Sequence, residues 1–137
     1  MTKKEFEKKM NLIVTPYNIS RHIELINEFI EQCDYVRGVL KEERTYKNYS
    51  VTVKLDDNSI VTFIVTYIDL YDEGCYVSRD YLFTIHNTSH SMTATYSHHT
   101  DKLLSVEMRG NETKEFIKHQ WFLVDILKYI NKNAYLD

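Results

Sequence analysis

Residues 60–71, IVTFIVTYIDLY, constrain the fold more than any other stretch of the chain. The run is rich in β-branched and aromatic residues and repeats with a period of two, which suits a strand and not a helix. Its two faces are both apolar: Val61, Phe63, Val65 and Tyr67 on one, and Ile60, Ile64 and Ile68 on the other. A strand wetted on one side has no need of that second row. The pattern therefore predicts a central strand covered on both faces.

The same period continues on either side. Val51, Val53 and Leu55 alternate with Thr52 and Lys54 before the turn sequence DDNS at 56–59. A second turn, DEG at 72–74, leads into a strand in which Val77, Tyr81, Phe83 and Ile85 share one parity. Met92, Ala94 and Tyr96 continue the alternation, and Leu104, Val106 and Met108 end it. Connections this short join neighbouring antiparallel strands, so a meander of five or six strands is expected.

Helical patterns bracket the strands. Thr2 and Glu5 form a capping box ahead of Phe6, Met10 and Ile13, which predicts a helix over 2–13. After Thr15-Pro16, the stripe Ile19, Ile23, Ile26, Ile30 and Cys33 predicts a second helix over 17–36, stopped by Gly38. A third begins at Asn111 as N-cap, with Glu112 and Glu115 near the positive end of its dipole. It carries one apolar stripe of Phe116, Leu123, Leu127 and Ile130, with Trp121 and Val124 beside it. Phe122, Ile126 and Tyr129 form a second stripe. A helix apolar over so wide an arc packs on two sides. The sheet takes one side; the first helices, a second copy or a partner takes the other. The predicted fold is α+β in one domain over 1–137, with N-terminal helices, the meander, and the long C-terminal helix packed on the sheet. This element order resembles helix-grip ligand-binding folds, without their usual first strand. The resemblance implies an apolar ligand held between a curved sheet and the last helix.

Charge narrows the choice of partners. The net charge of −3 is unevenly spread: +2 over 1–54, −6 over 55–101, where Arg79 is the one base, and +1 over 102–137. Phosphate-binding surfaces need clustered Lys and Arg, so the middle segment argues against direct nucleic-acid binding. No apolar run is long enough to span a bilayer, the first residues do not form a signal peptide, and Cys33 and Cys75 lack CxxC spacing. Cytoplasmic, reduced and membrane-free is the expected state. Lys, Asn, Ile and Tyr, all with A/T-rich codons, total 44 of 137 residues. That bias suggests an A/T-rich genome, as in a phage or mobile element.

Four of the six histidines crowd into HNTSHSMTATYSHHT, residues 86–100. If a turn at 87–90 pairs His86 with Ser91, His86 and His90 lie at one end of a hairpin. His98 and His99 then lie about 23 Å away at roughly 3.3 Å per residue. One zinc ion cannot bridge that span. The same distance separates the triplets His86-Asn87-Thr88 and His98-His99-Thr100, whose H-x-T pattern is similar to that of two-histidine phosphoesterases, so the pairing that chemistry requires is not expected. These histidines read as exposed hairpin groups. No G-x-S-x-G, phosphate loop or H-E-x-x-H occurs, and no metal or cofactor is expected. Cys33, on an apolar stripe, reads as core.

The eleven tyrosines stand out. Tyrosine is enriched at binding surfaces, and Tyr71 and Tyr76 flank the acidic turn at Asp72 and Glu73. The expected function is a non-enzymatic interaction module, phage or mobile-element encoded, that binds and modulates a host protein such as a defence nuclease through Tyr71, Asp72, Glu73 and Tyr76. The alternative is a small-molecule binding protein with a pocket near Tyr67, Arg79, Tyr81, Tyr96 and Trp121, between sheet and last helix. Phe122, Ile126 and Tyr129 are the candidate contacts of a homodimer.

Overall fold

A computed structural model describes residues 1–135. Three helices, α1 (Lys3–Lys9), α2 (Ile19–Gln32) and α3 (Lys114–Asn133), accompany six strands: β1 (Val36–Arg44), β2 (Asn48–Leu55), β3 (Ile60–Asp72), β4 (Cys75–His86), β5 (Ser91–Ser97) and β6 (Leu103–Arg109). The strands form one antiparallel sheet in the order β1-β2-β3-β4-β5-β6. The α+β meander with a C-terminal helix on the sheet is therefore present as predicted.

The elements depart from expectation at their ends. Helix α1 starts from the expected Thr2–Glu5 capping box but stops at Lys9. Residues 11–13 instead run beside the last strand: Leu103 N–H donates to Asn11 O at 2.8 Å and Ile13 N–H to Asp101 O at 2.9 Å. Helix α2, capped by Asn18, ends at Gln32 because Cys33 has turned extended. Gly38 is thus not a helix stop; it lies inside β1 between two irregularities of the β1–β2 register. β1 left little trace in the sequence because it is an edge strand, exposed along most of its length, with no buried row to impose alternation. Thr113 rather than Asn111 caps α3, its hydroxyl accepting from Phe116 N–H at 3.1 Å.

The core lies on one face of the sheet. Val51, Val53, Val61, Phe63, Val65, Phe83, Ile85, Met92 and Ala94 point inward and are fully buried, and the helices cover them. The expected double coverage of β3 is not found. Ile60 and Ile68, on its other row, remain 48% and 46% exposed, because every helix packs on the same side. That row is apolar without being buried.

The second stripe of α3 is covered within the chain. Phe122 and Ile126 have no exposed surface; Phe122 packs against Phe29 of α2 and edge-on against Tyr35, and the Tyr129 hydroxyl donates to Glu28 Oε2 at 3.0 Å. Helix α2 thus covers Phe122 and Ile126, while Tyr129 stays half-buried. Cys33, expected in the core, is only half-buried at the end of α2. Among the described residues, no helix is long and apolar enough to cross a membrane.

Gly110 joins β6 to α3 at a tight crossing. Its φ is +112°, and a Cβ there would lie 2.6 Å from the His90 Cβ and 2.8 Å from the Ser89 carbonyl oxygen. Both backbone and space exclude a side chain. Gly110→Ala should destabilise the fold by more than about 1 kcal/mol, read as a lower urea midpoint at unchanged slope.

Candidate functional site

Three groups of side chains merit consideration: the tip of the β3–β4 hairpin, the cluster at its base, and a histidine relay at the opposite end of the sheet.

Strands β3 and β4 outrun their neighbours. The β2 ladder ends at Asn48↔Thr66 and the β5 ladder at Asp80↔Ser97, so residues 70–72 and 75–78 pair only with each other among the described residues. They form a two-stranded arm extending about 10 Å past the sheet at roughly 3.3 Å per residue. A two-residue turn closes it, with Glu73 at φ 50° and Gly74 at φ 83°, the left-handed pair whose twist matches a hairpin. A register irregularity after Leu70 leaves Val77 unpaired. Ile68 at its root and Leu70, Tyr71, Tyr76 and Val77 along the arm are 41–64% exposed, and Tyr71 and Tyr76 meet edge-on at 6.0 Å. Asp72 and Glu73 occupy the tip. The structure thus brings Tyr71, Asp72, Glu73 and Tyr76 together on one projecting, acidic, aromatic element.

Arg79 fixes the base of the arm. Its guanidinium donates to both carboxylate oxygens of Asp69, at 2.6 and 3.0 Å, and to Tyr17 O at 2.9 Å. The Tyr17 and Tyr67 rings lie 4.1 and 3.7 Å from its centre. The Arg79 hydrogen bonds hold the Asp69 carboxyl below its ordinary range. Three of its N–H groups are thus bonded, and two aromatic rings pack against it. Tyr81 lies beneath, its hydroxyl donating to the same Tyr17 carbonyl.

The five residues expected around a pocket do not share one. Tyr67, Arg79 and Tyr81 cluster here. Tyr96 is fully buried, with its hydroxyl donating to Met10 O at 2.7 Å. Trp121 is 39% exposed under Lys9, away from the cluster. The region between sheet and α3, which a helix-grip architecture would leave for a ligand, is filled by side chains such as Phe63, Phe83, Leu123 and Leu127.

The histidines divide as their spacing requires, with His86 paired to Ser91 at one end of the hairpin. His98 and His99 are at the other. Two of them are nevertheless not the exposed groups expected. His98 is half-buried, 3.3 Å from Thr15 Oγ1 and edge-on to Tyr17 and Tyr81. His90 is buried, stacks on Phe116 at 4.3 Å, and its Nε2 lies 2.8 Å from His119 Nδ1. His119 Nε2 is 2.8 Å from Ser59 Oγ, whose hydroxyl donates to Asp57 Oδ1 at 2.5 Å. The sequence could not announce this relay, because its members come from two turns and a helix and share no local motif.

A serine beside a histidine that is oriented by a second histidine has the outline of a nucleophile, a base and a positioning group. Proton direction argues otherwise. Burial works against the Asp57 carboxylate, but the Ser59 hydroxyl and amide outweigh it and keep the group ionised. The single Ser59 proton is then directed to Asp57. His119 must donate to Ser59 and accept from His90, so it has no lone pair with which to deprotonate the serine. Burial also depresses His119 to a pKa of about 4. The arrangement is a latch joining the β2–β3 turn, the β4–β5 turn and α3. Beside it, Ser59, Ile60, Thr62, His86 and Asn87 border an open depression of about 600 Å³. No group of three or more potential metal ligands occurs among the described residues.

His22 makes a third buried histidine. Its Nδ1 lies 3.1 Å from Asn18 O, its ring is 4.4 Å from Tyr81, and desolvation lowers its pKa to about 4.

Comparison with protein-family models, with curated proteins and with solved structures finds no match to this chain.

Two predictions follow from these clusters. His22, His90 and His119 are held neutral in the fold, with pKa values below the ordinary 6.5. Their contribution is complete above 6.5 and is lost as pH falls toward about 4, since the unfolded chain binds protons first. The urea midpoint should therefore fall with acidification below neutrality, and less steeply in His119→Gln. Separately, Asp69→Asn leaves the Arg79 charge buried without its carboxylate. It should cost about 3 kcal/mol in denaturant unfolding, against little loss for the exposed Asp72→Asn.

Proposed function

We propose that this protein is a non-catalytic interaction module whose β3–β4 arm engages a partner protein. One observation carries the reading: four large hydrophobic side chains, Leu70, Tyr71, Tyr76 and Val77, stand half-exposed on a two-stranded ribbon that pairs with no other strand among the described residues. An unsupported hairpin is marginally stable in water. Here Arg79, clamped by Asp69, Tyr17 and Tyr67, braces its base. A rigid base with an apolar, aromatic tip suits insertion into a partner's groove, since tyrosine gives contact area at small entropic cost.

Asp72 and Glu73 at the tip set the partner's chemistry as basic around that groove. A host protein with a cationic functional surface, such as a nuclease of a defence system, fits this requirement. A phage or mobile-element origin and a cytoplasmic location accord with the codon bias and the reduced cysteines. The small-molecule alternative has a specific feature in its favour at a different place from that expected: the depression beside Ser59 and His86 is within the size range of ligand sites.

The test is affinity capture from host lysate with wild-type protein and with a variant carrying Tyr71→Ala, Asp72→Asn, Glu73→Gln and Tyr76→Ala. A stoichiometric partner recovered by wild type, weakened by salt and lost with the variant while its thermal midpoint holds, is the expected outcome. Equal recovery by the variant would remove the arm from the interaction. A partner-free protein stabilised by nucleotides or lipids in a thermal-shift screen would move the function to the depression.

A further inference from the structure

The outer face of the sheet, opposite the helices, is unusual in what it lacks. Three rows cross it. The first runs Thr52, Thr62, His86, Ser91; the second Ser50, Ile64, Thr84, Thr93; the third Asn48, Thr66, Leu82, Thr95. None of these twelve positions holds Asp, Glu, Lys or Arg, although charged residues make up 27% of the chain and about three would be expected. All twelve are half-buried by their neighbours, and Ile60 extends the apolar character at 48% exposure. Thr52–Thr62 and Thr84–Thr93 hydroxyl pairs at 2.8 and 2.9 Å satisfy one another across strands. A broad, charge-free face of short side chains lies open in the isolated chain.

Beyond these rows charge returns at Lys54 and Asp80, in the two flanking rows, and at the two edge strands, where its pattern identifies the occupant. The first row ends in Lys41 on β1 and Arg109 on β6. The second ends in Glu43 on β1 and Glu107 on β6. One row is thus basic at both ends and the next acidic at both ends. A two-fold axis lying across the strands between these rows lays each row on the other row of a second copy. Lys41, which pairs with Glu43 of its own chain at 2.8 Å, then also faces Glu43 of the second copy at one edge, and Arg109 faces Glu107 at the other. A face complementary to itself in this way is what a two-fold contact requires. A different protein would have no reason to meet the same alternation at both edges.

We infer that the outer sheet face is a homodimer interface, formed by two copies packed sheet on sheet. Six strands at about 4.8 Å spacing and the five residues spanned by the three rows, at about 3.3 Å each, give roughly 480 Å² per copy before side-chain relief, and the adjoining row of Lys54 and Ile60 brings this to roughly 650 Å². That approaches the roughly 800 Å² per partner of a standard interface. Short Thr and Ser side chains let two twisted sheets approach, with Ile60, Ile64 and Leu82 supplying the apolar contact. The axis also directs the two β3–β4 arms outward from opposite ends of the dimer and leaves both free. The inference is independent of the arm's role.

Sedimentation equilibrium of the full chain at about 100 µM tests it, well above the micromolar Kd at the weak end for interfaces of this size. Wild type should sediment as a dimer. Ile64→Lys and Thr84→Lys, each placing a charge in the middle of the face, should sediment as monomers with unchanged circular dichroism; either one suffices if the other fails to fold. Arg109→Glu should weaken association by about tenfold, and adding Glu107→Arg should restore it, which a general loss of stability would not do. A monomeric wild type, or a dimer that persists in the folded lysine variants, would overturn the proposal.

Discussion

All three helices lie on one side of the sheet, and burial of that side supports everything else. The inner surface is lined by aliphatic and phenylalanine side chains, with tyrosines toward its margins. Those tyrosines do more than fill volume. A buried phenol needs a partner for its hydroxyl, and each finds one on the segment or helix that crosses above. Tyr96 reaches Met10 O, Tyr81 reaches Tyr17 O, Tyr49 reaches Asn27 and Glu42, and Tyr35 reaches Asp125. The rings supply hydrophobic burial and the hydroxyls fix where the N-terminal segment and the helices sit.

That arrangement ties the candidate surfaces to the core. The segment held down by Tyr81 and Tyr96 contains Tyr17, whose carbonyl and ring both grip Arg79. Arg79 grips Asp69 on the neighbouring strand, and with it the root of the arm. At the other end, the latch from His90 through His119 and Ser59 to Asp57 holds two turns against α3. Both ends of the sheet are secured by buried polar groups that bond to one another across elements. The outer face and the arm tip have no such anchorage, and they are where apolar surface is left exposed.

The same one-sidedness explains which sequence signals misled. The apolar row Ile60, Ile64 and Ile68 reads as a second buried face only if apolar character implies burial within the chain. Surface apolar residues are common, and a continuous row of them is instead a mark of an interface. Tyrosine abundance was similarly ambiguous. Tyr71 and Tyr76 are displayed on the arm, while Tyr49, Tyr81 and Tyr96 are fully buried. Composition cannot separate the two uses because the residue suits both.

The sequence by itself determined the element types, their order and the antiparallel meander. Those depend on short-range periodicity, turn residues and connection length, all local along the chain. It also placed His86 against Ser91 and put Tyr71, Asp72, Glu73 and Tyr76 around one turn, since neighbours in sequence stay neighbours in a hairpin. Only the tertiary structure decided that α2 covers Phe122 and Ile126, that His90 meets His119, and that Lys41 and Arg109 share a row across five intervening strand pairings. Each joins residues far apart in the chain. Strand register and the choice of which face the helices cover bring them together, and these follow from packing energies summed over the whole molecule.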